Sequence, residues 1–223
     1  MTGEPPARPR IFCLSFQKVG TTSLHDYLLA AGFSSCHGPH RVEGIDYMEK
    51  VGAVADDPAR AVEVLAPVIA CFEAHCDVPW PGLYEVLAER YADARFILMT
   101  RDPDAWWQSI SAHWSLGLFD HTLSPFEYVQ YRPYLGSGKR VVSHRDKGLL
   151  LDAYQRHQRE VVRRLAGSRL LMLDLQDDDK SAKLAGFLGL AAAPPFPHAK
   201  KSGMARKSRR LFKNIKRRLV TPA

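Results

Sequence analysis

The chain has 223 residues, 46% of them hydrophobic, which suits one α/β domain whose core needs no disulfide or metal support. Its formal net charge of +7 is concentrated in residues 199–223, which hold ten Lys and Arg and no Asp or Glu. No run of about 18 apolar residues occurs and the N-terminus lacks an apolar signal segment, which disfavours membrane-spanning and secreted classes and favours a cytoplasmic protein.

Buried strands and amphipathic helices are predicted in alternation. Ile11–Phe16 is a short apolar run typical of a strand, and the apolar spacing after Thr21 predicts a helix over residues 21–31. Further strands are predicted at Val68–Phe72, Arg95–Thr100 and Leu170–Leu173, and helices at Leu83–Tyr91, after Asp102-Pro103, at Leu149–Leu165 and at Ala182–Leu188. Such alternation indicates an α/β three-layer sandwich, in which a central, mostly parallel sheet is flanked by helices.

Residues 17–23 join the first strand to its helix and have the composition of an anion-binding loop. Backbone N–H groups at a helix start, a glycine, the Lys18 charge and the Thr21 and Thr22 hydroxyls suit a phosphate-like group. An ordinary capped helix with a solvated lysine is the alternative. Because Lys18 precedes Gly20, the loop is not a Walker A motif, so a nucleotide triphosphatase or phosphotransferase is disfavoured.

The pattern Lys18-x-Gly20-Thr21-Thr22 after a first strand resembles the 5′-phosphosulfate loop of the sulfotransferase superfamily, especially its bacterial, P-loop-like branch. The resemblance implies a P-loop NTPase-like sulfotransferase fold and 3′-phosphoadenosine 5′-phosphosulfate as co-substrate, with no metal. It assigns the 5′-phosphosulfate to Lys18, Gly20 and the two threonines. Ser23 completes the loop, where the cytosolic small-molecule branch has a tryptophan.

A second element of the same resemblance is a strand that ends in Arg101, with Ser109 eight residues later. Both side chains can face one phosphate, because Ser109 lies about two turns into the helix that follows the arginine. The resemblance assigns them to the 3′-phosphate of the donor. From the residues alone, an Arg101–Asp102 surface ion pair and a solvated Ser109 remain the alternative.

Transfer to a hydroxyl also needs a base for the acceptor proton. In relatives a His or acidic residue near a Pro precedes this arginine strand, and Asp77-x-Pro79 is the best match, with His75 second and Glu73 weaker. An aspartate base needs a pKa raised by burial, whereas histidine is suited to neutral pH without a shift. A simple turn before Pro79 is the alternative for Asp77.

The implied function is transfer of a sulfuryl group to a hydroxyl of a carbohydrate, lipid or small metabolite. The alternative is a catalytically impaired nucleotide-binding module of the same fold, docked on an anionic surface. Residues 1–9 are expected to be a flexible N-terminus, 10–198 the domain, and 199–223 a basic tail. Apolar residues fall on one helical face of residues 200–219, which favours an amphipathic helix on an anionic membrane, although a solvated end fits equally. No nucleic-acid partner is expected.

Overall fold

The computed structural model describes residues 8–167 and 169–197. A five-stranded parallel sheet runs through the centre in the order β2-β5-β1-β6-β9. Its strands are β1 (Ile11–Cys13), β2 (Ser35–His37), β5 (Ala74–Cys76), β6 (Arg95–Thr100) and β9 (Leu170–Asp174). Two small antiparallel pairs join β3 (Arg41–Val42) to β4 (Ile45–Asp46) and β7 (His121–Thr122) to β8 (Val141–Val142).

Helices flank this sheet and complete the predicted three-layer α/β fold. They are α1 (Thr21–Ala30), α2 (Tyr47–Gly52), α3 (Pro58–Cys71), α4 (Tyr84–Arg90), α5 (Pro103–Trp114), α6 (Pro125–Leu135), α7 (Lys147–Leu165) and α8 (Lys180–Leu188), with 3-10 turns at Trp80–Leu83 and His144–Asp146. On one face, the Tyr27 hydroxyl of α1 donates to the Ser181 carbonyl of α8 over 3.0 Å. On the other, Phe12 packs on Trp80 and Tyr91 in the core.

The predicted strand at Val68–Phe72 is wrong. Those residues lie mostly in the last turns of α3, whose buried residues Ala61, Leu65, Val68 and Ile69 follow helical spacing. A short apolar run cannot by itself distinguish a buried strand from a buried helical turn, and here the rest of the helix face decides. The strand of this unit is β5, three residues further along the chain.

The order of the strands determines where a ligand can reach the sheet. β1 lies between β5 and β6, so the chain leaves β1 towards one edge of the sheet and later returns to its other side. This reversal opens a crevice outside the carboxyl ends of the parallel strands, where ligands of such sheets bind. The loop after β1 and the residues after β2, β5 and β6 all lie at that edge.

The described residues bear on two further expectations, one about the basic tail and one about membrane-spanning helices. The basic tail, with Lys200 and Lys201, lies outside them, so its helix and its docking role stay predictions. Within the described part of the chain, no helix combines the length and the apolar character needed to cross a membrane.

Candidate functional site

The loop after β1 reverses sharply before α1 begins. Lys18 and Gly20 both have positive φ, 73° and 99°, and Gly20 is the residue that caps α1. A Cβ on Gly20 would lie 2.8 Å from Leu175 Cδ1 and 3.2 Å from Met99 Cε. The backbone therefore passes close to side chains at the end of β6 and just after β9, in a conformation that favours glycine. The first-turn N–H groups of α1 follow this turn directly, and such groups are what an anion site at a helix start uses.

Arg101 lies against this loop. Its guanidinium Nη1 donates to the Lys18 carbonyl oxygen over 3.2 Å, while its buried Nε has no hydrogen-bond partner among the described residues. The main chain of Arg101 is held by the Tyr154 hydroxyl of α7, which accepts from its N–H and donates to its carbonyl, each over 2.9 Å. The Tyr154 ring stacks on Trp106 with centroids 4.4 Å apart. The Lys18 loop and the Arg101 side chain, which the sequence predicts to bind anionic groups, therefore lie next to each other.

Ser109 and Ser23 lie on the two helices that follow β6 and the loop after β1. Ser109 lies on α5, partly exposed, on the helix that Asp102 caps through a 2.8 Å bond from the Ala105 N–H. Ser23 is buried in the first turn of α1. Both belong to helices that start at the carboxyl edge of the sheet, and their part in donor binding stays a prediction.

His37, at the end of β2, joins the loop to the predicted base. Its Nε2 lies 3.3 Å from Thr21 Oγ1 and 3.4 Å from Thr22 Oγ1, and its Nδ1 lies 3.7 Å from Asp77 Oδ2. His37 is not among the residues predicted from the sequence, since Ser35–His37 has no apolar run to indicate a strand. A histidine directly before Gly38-Pro39, at the end of an extended segment, was the signal available.

Asp77 follows β5 with a φ of 71°, and its side chain is 18% exposed. Burial raises the pKa of Asp77 to about 6; the nearby Glu127 charge adds to the increase, and His40 and Lys18 oppose it. Its Oδ1 is buried with no hydrogen-bond partner among the described residues. A carboxylate with an unoccupied oxygen and a raised pKa suits proton transfer near neutral pH.

His75 lies in the core instead of the crevice. Its ring is fully buried, with its centroid 5.0 Å from Phe12 and 4.8 Å from Trp80. Burial lowers the pKa of His75 to about 3, and neither ring nitrogen meets a hydrogen-bond partner within residues 8–167 and 169–197. This placement does not favour His75 as the residue that takes an acceptor proton.

Glu127 links α6 to the loop after β1. Its Oε1 accepts from Trp114 Nε1 over 2.9 Å and from Gln17 Nε2 over 3.4 Å, next to Lys18. Burial by itself would raise the pKa of Glu127, but the His121 contact and the Ser124 N–H outweigh it and hold this pKa at about 2. Ser124-x-x-Glu127 forms a capping box, a signal visible in the sequence.

The crevice holds no recognisable metal centre. Across the described residues, no group of three or more His, Cys, Asp or Glu side chains is arranged to bind a metal ion. A cavity of about 250 Å³ lined by Ile11 and Arg95 lies at the amino-terminal ends of β1 and β6, on the edge opposite the loop. The candidate site is thus the crevice itself.

Comparison with known proteins identifies the family. No curated protein matches the sequence significantly. A solved sulfotransferase from Alicyclobacillus acidocaldarius is similar in structure, with a TM-score of 0.50, 14% identity, and coverage of 94% of this chain and 92% of that one, which supports the fold. The family model described as a sulfotransferase domain matches residues 10–205, which include the loop, Arg101 and Asp77. The chain therefore belongs to the sulfotransferase family and is a transferase.

Proposed function

We propose that this sulfotransferase moves a sulfuryl group from 3′-phosphoadenosine 5′-phosphosulfate to a hydroxyl of a carbohydrate, lipid or small metabolite. The observation that carries the proposal is the 3.2 Å contact between Arg101 Nη1 and the Lys18 carbonyl. It joins the two anion-binding elements at neighbouring strand ends, so one doubly charged nucleotide can span them. Nothing in the comparisons favours the alternative of an impaired binding module.

The donor fits the groups that are present. The Gly20 backbone occupies a position that a Cβ would crowd, and the loop N–H groups with Lys18, Thr21, Thr22 and Ser23 supply donors for the 5′-phosphosulfate. Arg101, whose Nε has no hydrogen-bond partner among the described residues, and Ser109 on α5 are the groups proposed to hold the 3′-phosphate. Lys18 neutralises the charge that builds on the leaving phosphate as the S–O bond breaks.

Asp77 is the proposed base. As the acceptor oxygen bonds to sulfur, its proton must leave, and the Asp77 carboxylate can take it, because its pKa of about 6 leaves it ionised but basic at neutral pH. The transfer then needs no metal, only a proton acceptor on the acceptor side and cations on the donor side.

A binding measurement tests the donor assignment. Adenosine 3′,5′-bisphosphate, the product of donor turnover, should raise the melting temperature; at one hundred times its dissociation constant it adds about 2.7 kcal/mol to the free energy of unfolding. Adenosine 5′-monophosphate, which lacks the 3′-phosphate, is the matched control and should stabilise less. Absence of any shift at saturating bisphosphate would contradict the donor proposal.

A transfer assay tests the reaction. Labelled sulfate from the donor should appear on members of a panel of sugars, phenols and hydroxylated lipids, or as free sulfate with water as acceptor. A chain that binds the bisphosphate but transfers to none of these, water included, would contradict the proposed enzyme activity.

A further inference from the structure

We propose that His37 is a further catalytic residue, which takes the acceptor proton on Nε2 and passes its Nδ1 proton to Asp77. This inference rests on the proposed function and concerns the same site. It assigns a role to a histidine that bridges the donor loop and the base. The reasons are its position, its hydrogen-bond partners and the groups behind it.

Position is the first reason. His37 Nε2 lies 3.3 and 3.4 Å from the hydroxyls of Thr21 and Thr22, the loop residues assigned to the phosphosulfate. Asp77 Oδ2 lies behind the ring, 3.7 Å from Nδ1. The imidazole thus stands between the transferred group and the carboxylate.

The hydrogen-bond partners are the second reason. With the proton on Nδ1, facing Asp77, the Nε2 lone pair accepts from the threonine hydroxyls. When those hydroxyls donate to phosphosulfate oxygens instead, Nε2 loses its donors at the point where an acceptor hydroxyl arrives. Donor binding thereby frees the nitrogen that the reaction needs.

The group behind the ring is the third reason. Asp77 is largely buried and its Oδ1 has no hydrogen-bond partner among the residues described. A largely buried carboxylate with one unpaired oxygen is stabilised by gaining a proton or by an adjacent imidazolium. Orientation of a histidine by a carboxylate is a recurrent arrangement for activating a hydroxyl.

The step balances without any co-reactant. The acceptor oxygen forms the bond to sulfur, and the bond from sulfur to the phosphate oxygen breaks with its electron pair leaving on phosphate. The acceptor O–H proton goes to His37 Nε2, and the Nδ1 proton goes to Asp77 Oδ2. The histidine ends neutral with its proton on Nε2. After the products leave, Nε2 releases that proton to solvent and the carboxyl returns its proton to Nδ1, which restores the starting state.

His37→Gln tests the proposal, because an amide keeps hydrogen bonds to the threonines but is not a base. We expect kcat for labelled-sulfate transfer, to water or to the best panel acceptor, to fall about 100-fold or more. The dissociation constant of adenosine 3′,5′-bisphosphate should stay within about threefold. A kcat within about threefold of wild type, with binding intact, would overturn the role of His37.

Imidazole rescue separates a proton-transfer role from a structural one. Free imidazole should restore activity to His37→Ala in proportion to its unprotonated concentration, whereas a ring needed only for packing gives no such dependence. His25→Ala is the matched control, since its ring lies 5.5 Å from that of His37 but bonds to Ser35. We expect imidazole to leave its rate unchanged. Absence of rescue in a His37→Ala protein that binds the bisphosphate would overturn the proposal.

The two proposals fail in different ways. A wild-type chain that shows neither a bisphosphate-dependent melting shift nor sulfate transfer contradicts the proposed function, and with it the role of His37. A wild-type chain that transfers sulfate, with His37→Gln equally active, contradicts only the role of His37 and leaves Asp77 as a base acting alone.

Discussion

The Tyr154 hydroxyl binds both main-chain polar groups of Arg101, accepting from its N–H and donating to its carbonyl over 2.9 Å each. α7 thereby fixes the residue that leaves β6 at the carboxyl edge of the sheet. Stacking of Tyr154 on Trp106 sets the direction of the hydroxyl. The orientation of the Arg101 side chain against the Lys18 carbonyl thus depends on a helix more than fifty residues later in the chain.

Tyr154→Phe should lower both stability and donor affinity. Loss of the hydroxyl leaves two main-chain groups of Arg101 without their partner. We expect this to lower the free energy of unfolding, measured by urea titration, by about 1–3 kcal/mol. Tyr27→Phe is the matched control: it also loses a hydroxyl bond, to Ser181, but on the far face of the sheet. We expect both variants to be destabilised and only Tyr154→Phe to bind adenosine 3′,5′-bisphosphate more weakly. Equal affinity in the two would contradict the coupling to Arg101.

Arg101→Gln should weaken binding of the bisphosphate about tenfold or more, because charge-assisted hydrogen bonds contribute about 1.5–3 kcal/mol. Binding of adenosine 5′-monophosphate should change much less, since it has no 3′-phosphate. Arg95→Gln, at the opposite end of the same strand, serves as control. Calorimetry on both nucleotides gives the comparison, and an equal loss for both ligands would reject the 3′-phosphate assignment.

Gly20→Ala should impair the donor loop specifically. The φ of 99° and the close approach of Leu175 strain any side chain at this position, at a cost of about 1–2 kcal/mol. Gly32→Ala is the matched control, because Gly32 has a similar φ of 81° but no atom lies within 4 Å of the added Cβ. Thermal melts should show both variants destabilised, with bisphosphate binding reduced in Gly20→Ala alone. Reduced binding in Gly32→Ala as well would point to a global effect.

Asp77 gives a pH dependence of opposite sign for activity and for stability. Activity should fall below pH 6, as the carboxyl becomes protonated and can no longer accept a proton. In the folded chain its pKa exceeds the ordinary 3.8, so its contribution to stability is complete below pH 3.8 and is lost as pH rises through 6. Above pH 6, the ionised carboxyl lowers the free energy of unfolding by about 3 kcal/mol, as the size of the pKa shift implies.

Asp77→Asn should therefore be inactive yet have a higher free energy of unfolding than wild type at pH 8. The difference should vanish near pH 3.5, where both side chains are neutral. Urea titrations at the two pH values, with transfer assays alongside, give the measurement. An asparagine variant that is active, or that is no more stable than wild type at pH 8, would contradict the assignment.

Glu127→Gln should destabilise the link between α6 and the loop. The pKa of Glu127 is held at about 2, so the carboxylate contributes stability above its ordinary 4.5, and that contribution disappears as pH falls through 2. We expect a loss of about 1–3 kcal/mol in unfolding free energy at pH 7, shrinking towards pH 3. Glu89→Gln, in an exposed pair with Arg164, should change little. Equal effects of the two substitutions would argue against a structural role for Glu127.

Local signals predicted part of the fold well. The Arg95–Thr100 strand is confirmed at both ends, and Asp102 caps the helix that begins at Pro103, because a continuous apolar run and a capping residue act within a few positions of one another. α6 could not be read in this way, since its buried residues surround it on every side and leave no periodicity.

The sequence alone determined the anion-binding composition of the loop after β1, because Lys18, Gly20, Thr21 and Thr22 are close together in the chain and lead into one helix. Only the tertiary structure decided which residues meet that loop. His37 and Asp77 are forty residues apart and approach the threonines because β2, β5 and β1 pair in parallel, with their carboxyl ends at one edge. Pairing between distant segments depends on the whole core, and no local pattern encodes it.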